Sequence, residues 1–164
     1  MPIIAWTSQL NVGVKLLNND HKQLVNLINS LHDGLVTGHA KPELQNTFER
    51  LVSYTRIHHA NEERLLAEAG FHGLPAHKRE HLQMLQQLLE LEIRFINSTQ
   101  LGVEMEIMQQ LRVWLFKHIQ GTDQQFTSHL KSVNVDAILN GWRAPVERQR
   151  LSPVVEAKIE QGVW

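Results

Sequence analysis

Seven side chains that can bind metal ions occupy four short motifs along this chain. Five are imidazoles and two are carboxylates: His21; His58 and Glu62; His77 and His81; His118 and Asp123. Mixed nitrogen and oxygen ligation suits iron, manganese or zinc, and a chain without cysteine has no thiolate for a structural zinc site. The motifs therefore predict a metal centre without sulfur ligands.

The spacing within the motifs limits how the backbone presents these side chains. His58 and Glu62 are four residues apart, as are His77 and His81, so on an α-helix each pair differs in direction by only about 40°. His118 and Asp123 are five residues apart, which on a regular helix would separate them by about 140°. If both bind metal, the backbone between them must leave α-helical geometry, through a π-bulge or a helix end at Gly121.

The number of ligands fits two neighbouring metal ions. Two octahedral ions offer twelve positions, of which five imidazoles fill five and two bridging carboxylates fill four. A bridging oxide or hydroxide fills two more, which leaves one position for a small gas molecule. The Glu-x-x-His pairs of carboxylate-rich diiron sites are absent from the motifs. A histidine-rich site carries less negative charge and stabilises high-valent iron less well, which favours reversible O2 binding over oxidation of a substrate.

The hydrophobic pattern predicts an all-α fold that brings the motifs together. Four segments have apolar residues at helical spacing, and the links between them, at residues 38–41, 70–74 and 97–102, are short. Such links favour an up-down-up-down antiparallel four-helix bundle, in which all four motifs lie at the same end. We expect Asn18, Asn19 and Asp20 to precede and cap the first helix; the alternative role for Asp20 is to orient a ligand.

The ends of the chain are expected to flank this bundle. Residues 1–130 would form the bundle together with an N-terminal arm anchored by Trp6, Leu10, Val12 and Val14. Residues 131–164 would form a C-terminal helical extension with amphipathic patches at residues 135–142 and 154–164. We expect the extension to pack on the bundle through Ile138, Leu139 and Trp142.

Composition argues against several classes of partner. Sixteen Lys and Arg nearly cancel 17 Asp and Glu, which does not favour binding to nucleic acid. No stretch approaches the roughly 18 apolar residues of a membrane helix, and the N-terminus lacks the pattern of a secretory signal. We therefore expect no membrane insertion and a cytoplasmic location, with the protein a monomer or a weak oligomer.

The four motifs together resemble those of the bacterial hemerythrins. The matching stretches cover roughly residues 1–130 and are Asn19-Asp20-His21-Lys22-Gln23-Leu24, His58-His59-Ala60-Asn61-Glu62-Glu63, His77-Lys78-Arg79-Glu80-His81 and the run from Trp114 to Asp123. The resemblance implies two Fe2+/Fe3+ ions bridged by oxide or hydroxide, with O2 as ligand. It also implies that His77, His81 and His118 bind one iron, that His21 and His58 bind the other, and that Glu62 and Asp123 bridge them.

The resemblance further implies an O2 pocket. Trp114, Leu115 and Ile119 match the positions of its apolar wall. His59 also falls in the pocket, at a position where the family commonly has Phe. It could face the pocket or point outward; we expect an outward or rim position, because burying an unpaired imidazole is costly.

These observations predict reversible O2 binding rather than enzymatic activity. The role would be oxygen transport, storage or supply to an oxygen-consuming partner protein. An oxygen or redox sensor, a peroxide- or NO-handling protein and an iron-handling protein are the alternatives.

Overall fold

The computed structural model describes residues 1–143, which are mainly helical. Six α-helices follow one another: α1 (Lys15–Thr37), α2 (Lys41–Glu68), α3 (Leu74–Asn97), α4 (Leu101–Lys117), α5 (Gln124–Lys131) and α6 (Val135–Arg143). A short 3-10 turn, Ser8–Leu10, precedes α1, and a π-helical segment, His118–Thr122, connects α4 to α5.

Helices α1 to α4 form the predicted antiparallel four-helix bundle. Helix α1 packs against α2 and α4, and α3 packs against the same two helices, so that the four enclose one core. Short links reverse the chain after each helix. Gly38 ends α1 in the left-handed conformation with φ 75°, and its backbone N–H donates to carbonyls of the last turn.

The apolar stripes of the four helices meet along the bundle axis. Phe48 of α2 and Phe95 of α3 are fully buried, with ring centroids 5.3 Å apart. Beside them, Lys41 donates to the carboxylate of Glu104 and to the backbone carbonyl of Phe95. These residues lie at the end of the bundle where α2 and α4 begin, opposite to the end that carries the metal-binding motifs.

The expected cap of α1 is wrong. The helix begins at Lys15, so Asn18, Asn19 and Asp20 lie within it. Val14 and Leu17 are buried and extend the apolar stripe by one turn toward the N-terminus. The Asn18 side chain instead connects the helix to the arm: it accepts a hydrogen bond from the Val12 backbone N–H, 3.0 Å away.

The N-terminal arm lies against the bundle. Leu10, Val12 and Val14 are buried as predicted, and Trp6 packs partly buried beside them. The backbone of Ile4 exchanges two hydrogen bonds with the Asn29 side chain of α1, at 3.0 and 2.9 Å.

Helix α6 packs on the bundle as predicted for its three apolar residues. Ile138, Leu139 and Trp142 contact the core and are partly buried. The Trp142 indole N–H donates to Glu68 of α2 at 3.0 Å, and the Arg64 guanidinium lies 4.2 Å from its ring centroid. The second predicted patch, at residues 154–164, lies outside the described residues.

Membrane insertion finds no support in these helices. Between residues 1 and 143, none of them combines the length and the apolar character that a bilayer span requires.

We predict that deleting residues 134–164 leaves a folded bundle. Every fully buried apolar side chain of the described residues lies at or before Leu130, whereas α6 contributes only partly buried ones. The free energy of unfolding should fall by about 1–3 kcal/mol, the scale of one or two buried side chains. Circular dichroism and denaturant unfolding of the truncated chain test this, with the full chain and Phe95→Ala, a core truncation costing about 3–5 kcal/mol, as references. A truncated chain without cooperative unfolding would show that the extension belongs to the core.

Candidate metal centre

The seven predicted ligands converge at one end of the bundle. His21 lies early in α1, His58 and Glu62 late in α2, His77 and His81 early in α3, and His118 and Asp123 flank the π-helical segment after α4. Their side chains are buried, with no residue more than 4% exposed. The alternating helix directions bring these positions to the same depth.

The ligand atoms form two adjacent groups. In the first, His21 Nε2 lies 3.2 Å from His58 Nε2, and Asp123 Oδ2 lies 3.2 Å from the Nε2 atoms of both His21 and His118. In the second, Glu62 Oε1 lies 2.5 Å from His77 Nε2 and 3.2 Å from His81 Nε2. Each group, with Asp123 counted in both, brings its ligand atoms within 4.8 Å of one another, as a metal site requires.

The two carboxylates extend from one group to the other. The second oxygen of Asp123 lies 3.9 Å from His77 Nε2, and the second oxygen of Glu62 lies 3.9 Å from His58 Nε2. Glu62 and Asp123 are therefore placed where each could bridge two ions.

His118 lies between the two groups. A ring nitrogen of His118 lies within 4.8 Å of the ligand atoms of His21 and His58, and one also lies within 4.8 Å of a ring nitrogen of His81. Its Nε2 atom is 3.4 Å from His58 Nε2. The assignment of His118 to the iron of His77 and His81, which the resemblance implies, thus stays a prediction.

The π-helical segment allows His118 and Asp123 to reach the same centre. The backbone N–H of Asp123 donates to the carbonyl of His118 at 3.0 Å, an i to i+5 hydrogen bond that closes a widened turn. Of the two backbone solutions that the spacing allowed, the π-bulge is the one observed. Gly121 does not end the helix, which continues as α5.

Eight buried polar atoms of the cluster lack a hydrogen-bond partner among the described residues. They are His21 Nδ1, His58 Nδ1, His59 Nε2, Glu62 Oε2, His81 Nε2, His118 Nδ1 and both carboxylate oxygens of Asp123. Buried polar groups are almost always satisfied, because each unpaired one destabilises the fold by about 1–3 kcal/mol. Four of these atoms, Glu62 Oε2, His81 Nε2 and both oxygens of Asp123, face the two groups and fit metal ligands, so the residues present suit a pair of metal ions.

Burial and mutual proximity shift the protonation of the ligands. Burial lowers the pKa of His21 to about 4 and that of His118 well below its ordinary value, which keeps their lone pairs free. Burial, and next the charge of Glu62, raise the pKa of Asp123 well above its ordinary value. Burial alone would also raise the pKa of Glu62, but the hydrogen bond to His77 and the close imidazole of His81 outweigh it, and the pKa is lowered. Two cations would remove this conflict by stabilising both carboxylates in the charged form.

A hydrogen-bonded carboxylate, that of Asp20, lies behind the His58 ring. Asp20, buried in α1, accepts hydrogen bonds from the Tyr54 hydroxyl at 3.0 Å and from the Asn61 amide at 3.3 Å. Its second oxygen lies 3.6 Å from His58 Nδ1, the nitrogen turned away from the other ligands. Carboxylates in this position fix the tautomer of a metal-binding histidine. The prediction that Asp20 mainly caps a helix was wrong because α1 starts a turn earlier.

The roles of Tyr54 and Asn61 were not predicted from the sequence. Tyr54 precedes His58 by four residues and Asn61 follows it by three, so both share its helical face. That spacing was the available signal.

A second carboxylate supports His81 from behind. Glu63 lies 2.8 Å from His81 Nδ1, which leaves Nε2 turned toward Glu62. Glu80, the residue before His81, accepts a hydrogen bond from the Thr122 hydroxyl and so ties α3 to the π-helical segment. Through these contacts, both glutamates help to position predicted ligands.

The expectation that His59 points outward is wrong. Its side chain is only 6% exposed, and its ring stacks on that of His81 with centroids 3.8 Å apart and planes 3° from parallel. Burial, followed by the neighbouring His81 and His58, lowers the pKa of His59 to about 2, so the ring is neutral. The free-energy cost of burial, which was expected to keep His59 at the surface, is reduced in two ways. The buried ring is neutral, and it packs face to face on the ring of His81.

The other predicted pocket residues are buried on α4 and at its end. Trp114, Leu115 and Ile119 are 6%, 1% and 0% exposed. Trp114 and Leu115 precede His118 by four and three residues and so share its face of the helix. The Trp114 indole N–H donates to the Met84 carbonyl at 3.1 Å, which satisfies its one polar atom.

We predict that Tyr54 ionises late. Burial, then the hydrogen bond to Asp20 and the charge of that carboxylate, raise its pKa from 10.0 to about 12. Because the folded value is the higher one, the contribution of this hydroxyl to stability is complete below pH 10 and is lost as the pH rises toward 12. Tyr54 is the single tyrosine, so ultraviolet absorbance against pH measures it directly.

Two variants locate the cause of this shift. Asp20→Asn should move the titration of Tyr54 back toward pH 10. Asp33→Asn removes a carboxylate that is 61% exposed and should leave the titration unchanged. A wild-type midpoint near pH 10 would contradict the network.

Comparison with known proteins identifies the family. Residues 12–130 match the family model of the hemerythrin HHE cation binding domain. The bacteriohemerythrin of Pseudomonas aeruginosa strain PAO1 is 32% identical over 162 residues, which span 99% of this chain and 93% of that protein. That of Stenotrophomonas maltophilia strain R551-3 is 31% identical over 132 residues, 80% of this chain and 84% of that protein.

The fold has a counterpart among solved structures. The crystal structure of wild-type hemerythrin superimposes with a TM-score of 0.68 at 24% sequence identity, covering 78% of this chain and 98% of that one. The family model and the two relatives, together with this structural match, show that the chain belongs to the hemerythrin family, as its four motifs indicated.

Proposed function

We propose that this protein binds O2 reversibly at a non-haem diiron centre and serves as an oxygen carrier, store or supplier. The observation that carries the proposal is the pair of adjacent ligand groups, joined by two buried carboxylates that extend between them. The pair of irons, when bound, supplies the electrons that reversible O2 binding requires.

The protein's own residues hold such a centre in three ways. His21, His58, His77, His81 and His118 supply nitrogen ligands, and Glu62 and Asp123 supply oxygens that reach both groups. Asp20 and Glu63 fix the orientation of the rings of His58 and His81. The helix-to-helix contact between Glu80 and Thr122 keeps the π-helical segment, and with it Asp123, against α3.

The surroundings of the centre favour binding over oxidation of a substrate. Trp114, Leu115 and Ile119 would form an apolar wall that keeps water from the site. Exclusion of water slows loss of reduced oxygen species, which is the side reaction that a reversible carrier must suppress. Five imidazoles and two carboxylates also leave the centre less negative than a carboxylate-rich diiron site.

We predict that the two carboxylates are needed for both irons. Glu62→Ala or Asp123→Ala should lose nearly all iron, because each carboxylate reaches both groups. His21→Ala or His58→Ala should retain more iron than these variants, because each imidazole serves one ion. Iron per chain, measured by elemental analysis of purified protein, gives the comparison, and Glu49→Ala, an exposed glutamate of the same helix, is the control. One metal per chain in the wild type, or zinc in protein from iron-replete cells, would refute the diiron centre.

Reversibility is tested by optical spectroscopy of the reduced protein. On mixing with O2 we expect a charge-transfer band that disappears when O2 is removed and returns when O2 is readmitted. A band that decays while a reductant is consumed at a steady rate would instead indicate an enzyme acting on O2 or peroxide. Oxidation of both irons without a reversible band would favour a redox sensor.

A further inference from the structure

His59 is a sixth imidazole within the metal centre. Its ring centroid lies 3.8 Å from that of His81, 5.5 Å from that of His118 and 5.7 Å from that of His58. It is thus enclosed by three of the ligands, although the mixed carboxylate and imidazole set is complete without it.

The Nε2 atom of His59 is buried and has no hydrogen-bond partner among the described residues. A phenyl ring would fill the same stacked position without leaving a polar atom unpaired. The unpaired nitrogen destabilises the metal-free fold, and a hydrogen-bonding group that enters the site would satisfy it.

A metal ion is the first candidate for that group, because ring nitrogens of His59, His81 and His118 lie within 4.8 Å of one another. The stacking argues against it. An imidazole binds a metal along a lone pair in the plane of its ring, and the rings of His59 and His81 are 3° from parallel with centroids 3.8 Å apart. Lone pairs in two parallel planes do not converge on one ion, so His59 cannot share an ion with His81 in this arrangement.

A small ligand is not restricted in this way. The outer atom of a two- or three-atom molecule held at the metal centre need not lie in the plane of the His81 ring, so it can approach His59. The neutral imidazole carries one N–H, which suits an electron-rich outer atom as acceptor.

We propose that His59 donates a hydrogen bond to the outer atom of a small anionic ligand bound at the metal centre. The inference rests on the proposed function, since it takes the seven residues as ligands of two irons. It adds a polar specificity residue to a pocket whose other predicted members are apolar, and azide is the suitable probe.

The first test is azide binding by the oxidised diiron protein, followed by absorbance. His59→Phe keeps a stacking ring but has no donor, and should weaken azide binding about tenfold or more, as expected for a buried hydrogen bond to an anion. His59→Gln restores an N–H and should recover part of the affinity. The exposed His72→Phe, which makes the same substitution outside the site, should bind azide like the wild type.

The second test needs no iron. In the metal-free protein, His59→Phe should raise Tm, because it removes an unpaired buried nitrogen and keeps the ring. His72→Phe should leave Tm nearly unchanged. An unchanged or lower Tm in His59→Phe would overturn the inference, because Nε2 would then be satisfied within the protein.

The outcomes separate this inference from the proposed function. If the wild type takes up no iron pair, the proposed function fails, and the Tm comparison still tests His59. If both proteins take up two irons and His59→Phe binds azide as tightly as the wild type, the proposed function stands and the hydrogen bond is refuted. A third equivalent of Zn2+ bound by the wild type and lost in His59→Phe would also refute it, in favour of a cation site.

Discussion

The structure depends on the burial of five imidazoles and two carboxylates at one end of a helical bundle. Such a cluster is unfavourable in an apolar interior, since each unpaired polar atom has lost its hydration. Here the carboxylates and imidazoles satisfy one another only in part, as the unpaired oxygens of Asp123 show. Metal ions would complete the set, and the free energy of metal binding would then become part of the folding free energy.

Stability and metal binding are separated along the bundle axis. At one end, Phe48 and Phe95 pack in a closed apolar core, beside the ion pair of Lys41 and Glu104. At the other end, polar ligands take the positions that apolar side chains hold elsewhere on the same stripes. The apolar end can hold the four helices in register, which lets the polar end keep a geometry that would not be stable by itself.

Residues outside the predicted ligand set orient some of those within it. Asp20 stands behind His58 and Glu63 behind His81, each on the ring nitrogen opposite to the centre. Tyr54 and Asn61 hold Asp20 in turn. Such partners favour one tautomer and one orientation for the rings of His58 and His81, and each comes from a helix other than the one that it supports. His59 Nε2 is also unpaired among the described residues, although His59 is outside the set of seven predicted ligands.

The local periodicity of the sequence determined which side chains share a helix face, because this depends only on the helix geometry of neighbouring residues. The spacing of His58 and Glu62 and of His77 and His81 placed each pair on one face, and the five-residue step from His118 to Asp123 required a departure from α-helical geometry. Only the tertiary structure decided between a π-helical turn and a helix end, because the choice depends on contacts such as that of Thr122 with Glu80. It also decided that Asp20 supports His58 rather than capping α1, and that His59 is buried on His81. These outcomes depend on contacts between residues that are distant in the chain. Such contacts offset the free-energy cost of burying polar side chains, and a local sequence pattern does not reveal them.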